Sequence, residues 1–155
     1  MPKGSTGPCA MLCIDVGQRH IGLARGIGDV GTALPAGSLE MTTPMETARR
    51  VVDLVVREGA SCLIVGLPLA LDGSDTPQTR KVRRFVGLVR KELGVRNLGK
   101  VVRVELADER WSSVAVGRAT KSQGLSEAEG RATKDQWEAV YILQGYMDRV
   151  TGRHN

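Results

Sequence analysis

The sequence predicts an α/β domain in which a mixed sheet carries helices on its faces. Three observations lead there. Two short apolar runs, Met11–Asp15 and Ile21–Ala24, flank the turn-like Gly17-Gln18-Arg19-His20 and read as an antiparallel hairpin. From Pro44 onward the apolar period changes to a helical one and then alternates between helix and strand. Finally, Cys62–Val65 is a continuous apolar run, as expected of a strand covered by helices on both sides. A hairpin followed by β-α-β units makes the sheet mixed.

Taken in order, residues 1–9, rich in Gly, Pro and Ser, are expected to form a disordered leader, followed by a single domain over 10–150 and a frayed tail at 151–155. After the hairpin a third strand is expected around Gly31–Leu39, where Pro35 restricts it to an edge or a bulge. Ala48, Val51, Val52, Val55 and Val56 recur at helical spacing until Gly59 stops the helix. A loop over Gly66–Thr76 leads to a second amphipathic helix, Pro77–Leu93, with Val82, Phe85, Val86, Val89 and Leu93 on one stripe. Val101–Leu106 is the last strand. Two helices close the chain, Ser112–Gln123 and Lys134–Val150, with Gly124–Arg131 between them.

The chain has 155 residues, a formal charge of +5 and 3% aromatics, so its core must be built from Val, Leu, Ile and Ala, and its charge favours an anionic partner. Cys9, Cys13 and Cys62 are odd in number and lie in or beside apolar runs, which suits reduced thiols in a cytoplasmic protein. The sequence contains no apolar stretch of signal-peptide or membrane-spanning length. His20 has no second His or Cys at ligand spacing, so zinc is not expected.

The chemistry is expected at three acidic positions where elements start or stop: Asp15 near the end of the first strand, Asp108-Glu109 just beyond the last strand, and Asp135 at the start of the last helix. Carboxylates from separate elements can hold hard divalent ions, which keep several waters and serve phosphodiester cleavage. Each acid also has a local reading. Asp15 can close a turn before Gly17, Asp108 can cap a helix, and Asp135 can complement a helix dipole. Periodicity alone does not show that the three converge.

Four separated motifs carry a family resemblance over about residues 11–150: Ile14-Asp15-Val16-Gly17 with Arg19, Ile21-Gly22 and Ala24; Val65-Gly66-Leu67-Pro68-Leu69 with Asp72-Gly73-Ser74; Asp108-Glu109-Arg110 with Ser112-Ser113; and Asp135 ahead of Ala139, Ile142-Leu143-Gln144 and Tyr146. In this order they resemble the YqgF family, RuvX-like nucleases of the RNase H-like superfamily. An Asp-Val-Gly hairpin also opens actin-like ATPases and sugar kinases, but that arrangement is expected to need about twice this length.

The resemblance implies an RNase H-like fold with a five-stranded mixed sheet flanked by helices on both faces. It also implies a metal-dependent nuclease with Asp15, Glu109 and Asp135 as ligands for Mg²⁺ or Mn²⁺, two ions in number. Asp108 and Glu138 form a second tier. Glu138 stands where relatives commonly have a small residue, three positions after Asp135 and so on its helix face. Trp137 likewise replaces a small residue. Related junction resolvases place two acids on their last helix at similar spacing, although Glu138 can equally pair with a surface Arg.

Nucleic-acid contacts are expected from Arg19, Arg80, Lys81, Arg84, Arg110, Lys121 and Lys134, while a charge run on a helix is also its ordinary solvated face. The Gly66–Ser74 stretch lacks the P-loop spacing and its closing Gly-Lys-Ser/Thr, which excludes that mode of ATP binding. Its Gly66 and Gly73 amides and Ser74 hydroxyl either approach a phosphate or only connect a strand to a helix. Two substrates follow from the resemblance, the precursor of 16S rRNA and branched DNA, the second of which calls for a homodimer where the first allows a monomer. A module that binds structured nucleic acid without cutting it is the alternative, and three acids beside a phosphate path argue against it.

Overall fold

Near-continuous burial along Ala10–Val16 and His20–Ile27, as expected of strands covered on both faces, makes these segments β1 and β2, joined as the expected antiparallel hairpin. The computed structural model describes residues 9–27, 31–111 and 127–151. Residues 1–8 of the expected leader, 152–155 of the tail, the helix expected over Ser112–Gln123, and with it Lys121, lie outside them.

Strand β3, Thr32–Glu40, pairs antiparallel with β2 at the sheet edge. Its register shifts opposite Leu23/Ala24, where Gly37 and Pro35 are the successive partners and Ala36 is the extra residue. The expected Pro35 strand therefore has both an edge position and a bulge, which spare the ladder a donor that proline lacks. Helix α1 runs Pro44–Glu58, capped by the Thr43 side chain on the Glu46 amide and ended by Gly59 in the left-handed region at φ 64°.

Cys62–Leu67 forms β4, every residue buried, parallel to β1. Helix α2, Pro77–Val95, starts with a reciprocal capping box between Thr76 and Thr79. Strand β5 spans Arg103–Asp108 and pairs parallel with β4. This is two residues later than expected, because Val101 and Val102 donate their amides to Leu98 O in a turn while Val102 still fills the core. Asp108 is therefore the last residue of the strand and not a loop residue beyond it. A 3-10 turn, Glu109–Trp111, follows at once.

The closing helix α3 runs Glu127–Thr151. It begins seven residues before the expected Lys134, so 127–131 are helical and Asp135 lies inside the helix, not at its start. Gly130 lies inside it, and an interior glycine costs a helix only about 1 kcal/mol.

The sheet order is β3-β2-β1-β4-β5, the five-stranded mixed sheet expected. Its two faces carry separate cores. Leu12, Ile14, Val16, Ile21, Leu23, Leu63 and Val65 pack with α1 and α2, whereas Met11, Cys13, Ala24, Cys62, Ile64 and Ala107 pack with α3. On the α3 side β2 offers Gly22, Ala24 and Gly26 in alternation. A Cβ on Gly22 would stand 1.8 Å from the Asp135 carbonyl oxygen, and one on Gly26 would stand 3.1 Å from Met147 Sδ. This track of small residues lets α3 lie directly on the strand. Gln136 and Gln144 then tie α3 to the edge strand: Gly37 N donates to Gln136 Oε1 at 2.9 Å and Ala33 N to Gln144 Oε1 at 3.0 Å.

Candidate active site

Strand alternation sends Met11, Cys13 and hence Asp15 to the α3 face of the sheet, at the C-terminal end of β1. Gly66, on the neighbouring β4, leaves a gap on that face. A Cβ there would meet Ile142 Cδ1 at 2.6 Å and Glu109 Oε2 at 3.1 Å, so the missing side chain is what allows Glu109 to reach across from the end of β5. From above, α3 contributes Glu138, whose carboxyl acts on that of Asp15 and raises it. Three carboxylates from three elements meet over the C-terminal ends of the parallel strands.

Their mutual effect is large. Burial first, then the charge of Glu109 and the contacts with Glu138, push the Asp15 carboxyl up to about 9. Burial likewise raises Glu109, opposed by its hydrogen bond to Asp15 and assisted by the charges of Glu138 and Asp108. Like charges brought together in a partly dry site cannot all ionise without a cation. Sharing protons, as Asp15 does, relieves that repulsion in the metal-free protein. Among the described residues, no three His, Cys, Asp or Glu side chains are already drawn into ligating geometry. The donor set itself, all carboxylate oxygens, suits a hard divalent ion.

Asp135 takes a different place. Its carbonyl sits over Gly22, and its Oδ2 lies 3.8 Å from His20 Nδ1 at the start of β2. The causes that shift Asp15 and Glu109 are led by burial, followed by their effect on one another and by Glu138 and Asp108. Glu138 also lies 3.8 Å from Lys134 Nζ, so among the described residues its basic neighbour is a lysine one turn back, not an arginine. Trp137 packs on the α3 core and tilts its ring at 35° to Tyr141.

Asp108 turns away from the cluster and anchors Arg110. Its Oδ1 accepts from Arg110 N at 2.9 Å, and its carboxylate receives Arg110 Nε at 2.9 Å and Nη2 at 2.6 Å. The guanidinium beside it holds the Asp108 carboxyl below the usual carboxylate range. Arg110 Nη1 also donates to Leu71 O at 3.0 Å, binding the β4–α2 loop to the end of β5.

That loop is closed on itself. Gly73 N donates to Ala70 O at 2.8 Å, and the Ser74 hydroxyl donates to Asp72 at 2.6 Å. The Gly73 amide and Ser74 hydroxyl, expected either to meet a phosphate or only to link elements, bond within the loop's own turn. Arg19, on the β1–β2 turn, is exposed, with its carbonyl accepting from Met41 N at 2.7 Å. Arg80 and Arg84 are exposed on α2 and Lys81 is half-buried, all on the side of the sheet away from the carboxylates. The sequence reading named Gly22, Ala24 and Gln144 within motifs but missed that Gly22, Ala24 and Gly26 form a small-residue track, whose period of two was visible, and that Gln136 and Gln144, eight residues apart on one helix face, tie α3 to β3.

The fold is of the RNase H-like class. The fold is similar to that of Thermus thermophilus RuvC, with a TM-score of 0.54 at 14% identity over 92% of this chain and 96% of that one. It is also similar to Fowlpox virus resolvase, solved in complex with Holliday junction DNA, with a TM-score of 0.53 at 13% identity over 91% and 98%. At the level of sequence, the family described as "RuvX: Holliday junction resolvase" matches residues 9–149, and the chain belongs to that family. Among its relatives, proteins named "Putative pre-16S rRNA nuclease" are 36% identical in Chloroflexus aurantiacus, over 89% of this chain and 86% of that protein, and 33% identical in Corynebacterium jeikeium, over 95% and 91%.

Proposed function

We propose that this chain hydrolyses phosphodiester bonds in structured RNA, trimming the 5′ end of precursor 16S rRNA, with Mg²⁺ or Mn²⁺ held by Asp15, Glu109 and the α3 acids Asp135 and Glu138. The observation that carries the proposal is the convergence of Asp15, Glu109 and Glu138 from β1, β5 and α3, close enough to push Asp15 up to about 9. A protein gains nothing structurally from three acids that must share protons, whereas divalent-metal dependence is general to nucleases of this class. Two bound ions would supply an activated water and a stabilised leaving oxygen.

The chain's own residues do the rest. Gly66 keeps the floor clear beneath Glu109. Asp108 presents Arg110 in one orientation at the rim, where a guanidinium suits a phosphate oxygen pair. Lys134, 3.8 Å from Glu138, adds positive charge beside the acids. The relatives named for pre-16S rRNA support the RNA reading. No helix among the described residues is long and apolar enough to cross a membrane.

A second reading, cleavage of branched DNA, is favoured by the family description and by the resolvase neighbours. A labelled 16S precursor fragment and a four-way DNA junction, each with Mg²⁺, Mn²⁺ or EDTA, separate the two. Metal-dependent cutting of the RNA that Asp15→Asn abolishes supports the processing nuclease. Cutting of the junction alone, by a dimer, replaces it with the resolvase. If both substrates are bound but neither is cut under any metal, the proposal fails.

A further inference from the structure

We infer that a second groove, on the opposite face of the sheet from the carboxylates, seats an unpaired nucleotide of the RNA being cut. The identity of this ligand rests on the proposed function; the place of the groove does not. It lies between the β1–β2 turn, the start of α1 and the first half of α2, and has a volume of 840 Å³, within the roughly 300–1,000 Å³ of pockets that hold small ligands. Val16, Met41, Phe85 and Leu88 give it an apolar lining, and Lys81 and Arg84 stand beside them. None of the residues that line it is acidic.

The two cations are i and i+3 on α2, so they share a face. Neither makes an ion pair with a described residue, whereas the intervening Arg83 is committed to Asp75 at 2.9 Å. Free positive charge beside bare apolar surface complements a ligand with a flat apolar body and a phosphate. A nucleotide has both, but only when its base is unstacked, since a duplex hides the base faces. Gln18 adds a side-chain amide on the β1–β2 side that can donate to and accept from a base edge. On the α2 side Gly87 lines the groove, and a Cβ there would meet nothing within 4 Å.

Continuity with the cutting site comes from β1. Asp15 faces the acids and Val16, the next residue, lines the groove. A strand that crosses the turn at 17–19, past the exposed Arg19, runs from one to the other. The groove thus makes a single-stranded flank part of what is recognised.

The test uses the full chain and one hairpin RNA, made with and without an unpaired tail. Binding is measured in EDTA, where no turnover occurs, and cleavage is then measured in Mg²⁺. The wild type is expected to bind the tailed hairpin about tenfold more tightly or better, a gain of the size that stacking one base supplies. Lys81→Ala/Arg84→Ala and, separately, Gly87→Met, which fills the groove from an exposed helix position that accepts a side chain, are each expected to abolish that preference. The double variant should also flatten the salt dependence by about 0.7 per lost phosphate contact. Equal binding of both hairpins by the wild type overturns the inference. So does a preference that survives Gly87→Met while the double variant weakens both hairpins alike, the mark of a diffuse basic face. Because binding is read without catalysis, a tail preference in a protein that cuts nothing leaves the groove standing and removes only the nuclease, and cutting without a tail preference does the reverse.

Discussion

Asp15 lies in a partly buried strand end, against two other acids, with a proton that an ordinary aspartate would have lost at neutral pH. Asp15→Asn or Glu109→Gln is expected to reduce cleavage by more than the roughly 10–100-fold that follows loss of residues which only orient a ligand, with RNA binding in EDTA retained. On the proposed reading the helix acids divide their role. Asp135 and Glu138 share a helix face at i and i+3, and the structure sets Glu138 against Asp15 and Asp135 against His20. Single-turnover rates should show Asp135→Asn and Glu138→Gln each milder than Asp15→Asn, and the pair together as severe. Equal severity of all three single variants would show that the two helix acids do not substitute for one another. The sequence placed these acids at element ends but left open which would meet, because i and i+3 periodicity is blind to a contact decided by the carbonyl of Asp135 resting on Gly22.

At the level of elements, periodicity carried the reading of β1, β2, β4, α1 and α2 to within a few residues, and Pro35 correctly marked an edge and a bulge. Two errors share a cause. The strand β5 begins after Val101-Val102, and α3 begins well before Lys134. In both places composition reports burial or breaking tendency, while hydrogen bonding and packing across the chain decide the backbone. The tight seat of α3 on β2 has a measurable consequence. Gly22→Ala inserts a methyl where the Asp135 carbonyl stands, so unfolding experiments should show a loss of about 1–3 kcal/mol, the usual cost of overpacking, together with weakened metal binding as the helix acids shift. Gly87→Ala, on an exposed turn of α2 with open space around it, should instead gain up to about 1 kcal/mol from helix propensity. Similar Tm changes for the two would remove the claim that α3 is positioned by that contact.

For the molecule as a whole, the carboxylate cluster links stability to pH and metal. The folded-state value of Asp15, about 9, lies above its ordinary 3.8. The metal-free fold therefore has the full benefit of that proton below about pH 4 and loses it progressively as pH rises toward 9. Thermal unfolding in EDTA should show Tm declining across that window relative to Asp15→Asn, which has no such proton. Added Mn²⁺ should restore more stability at pH 8 than at pH 5, since binding the ion requires ionised carboxylates. That requirement also supplies the most direct measurement, calorimetric titration of Mn²⁺ into wild type and Asp15→Asn at pH 8 in buffers of different ionisation enthalpy. The expected result is a net release of protons as the ion displaces them from the wild-type cluster, with weaker binding and less release in the variant. Mn²⁺ binding of equal strength in both, with no proton released by either, would contradict the assignment of Asp15, Glu109 and the α3 acids as the metal site of a nuclease.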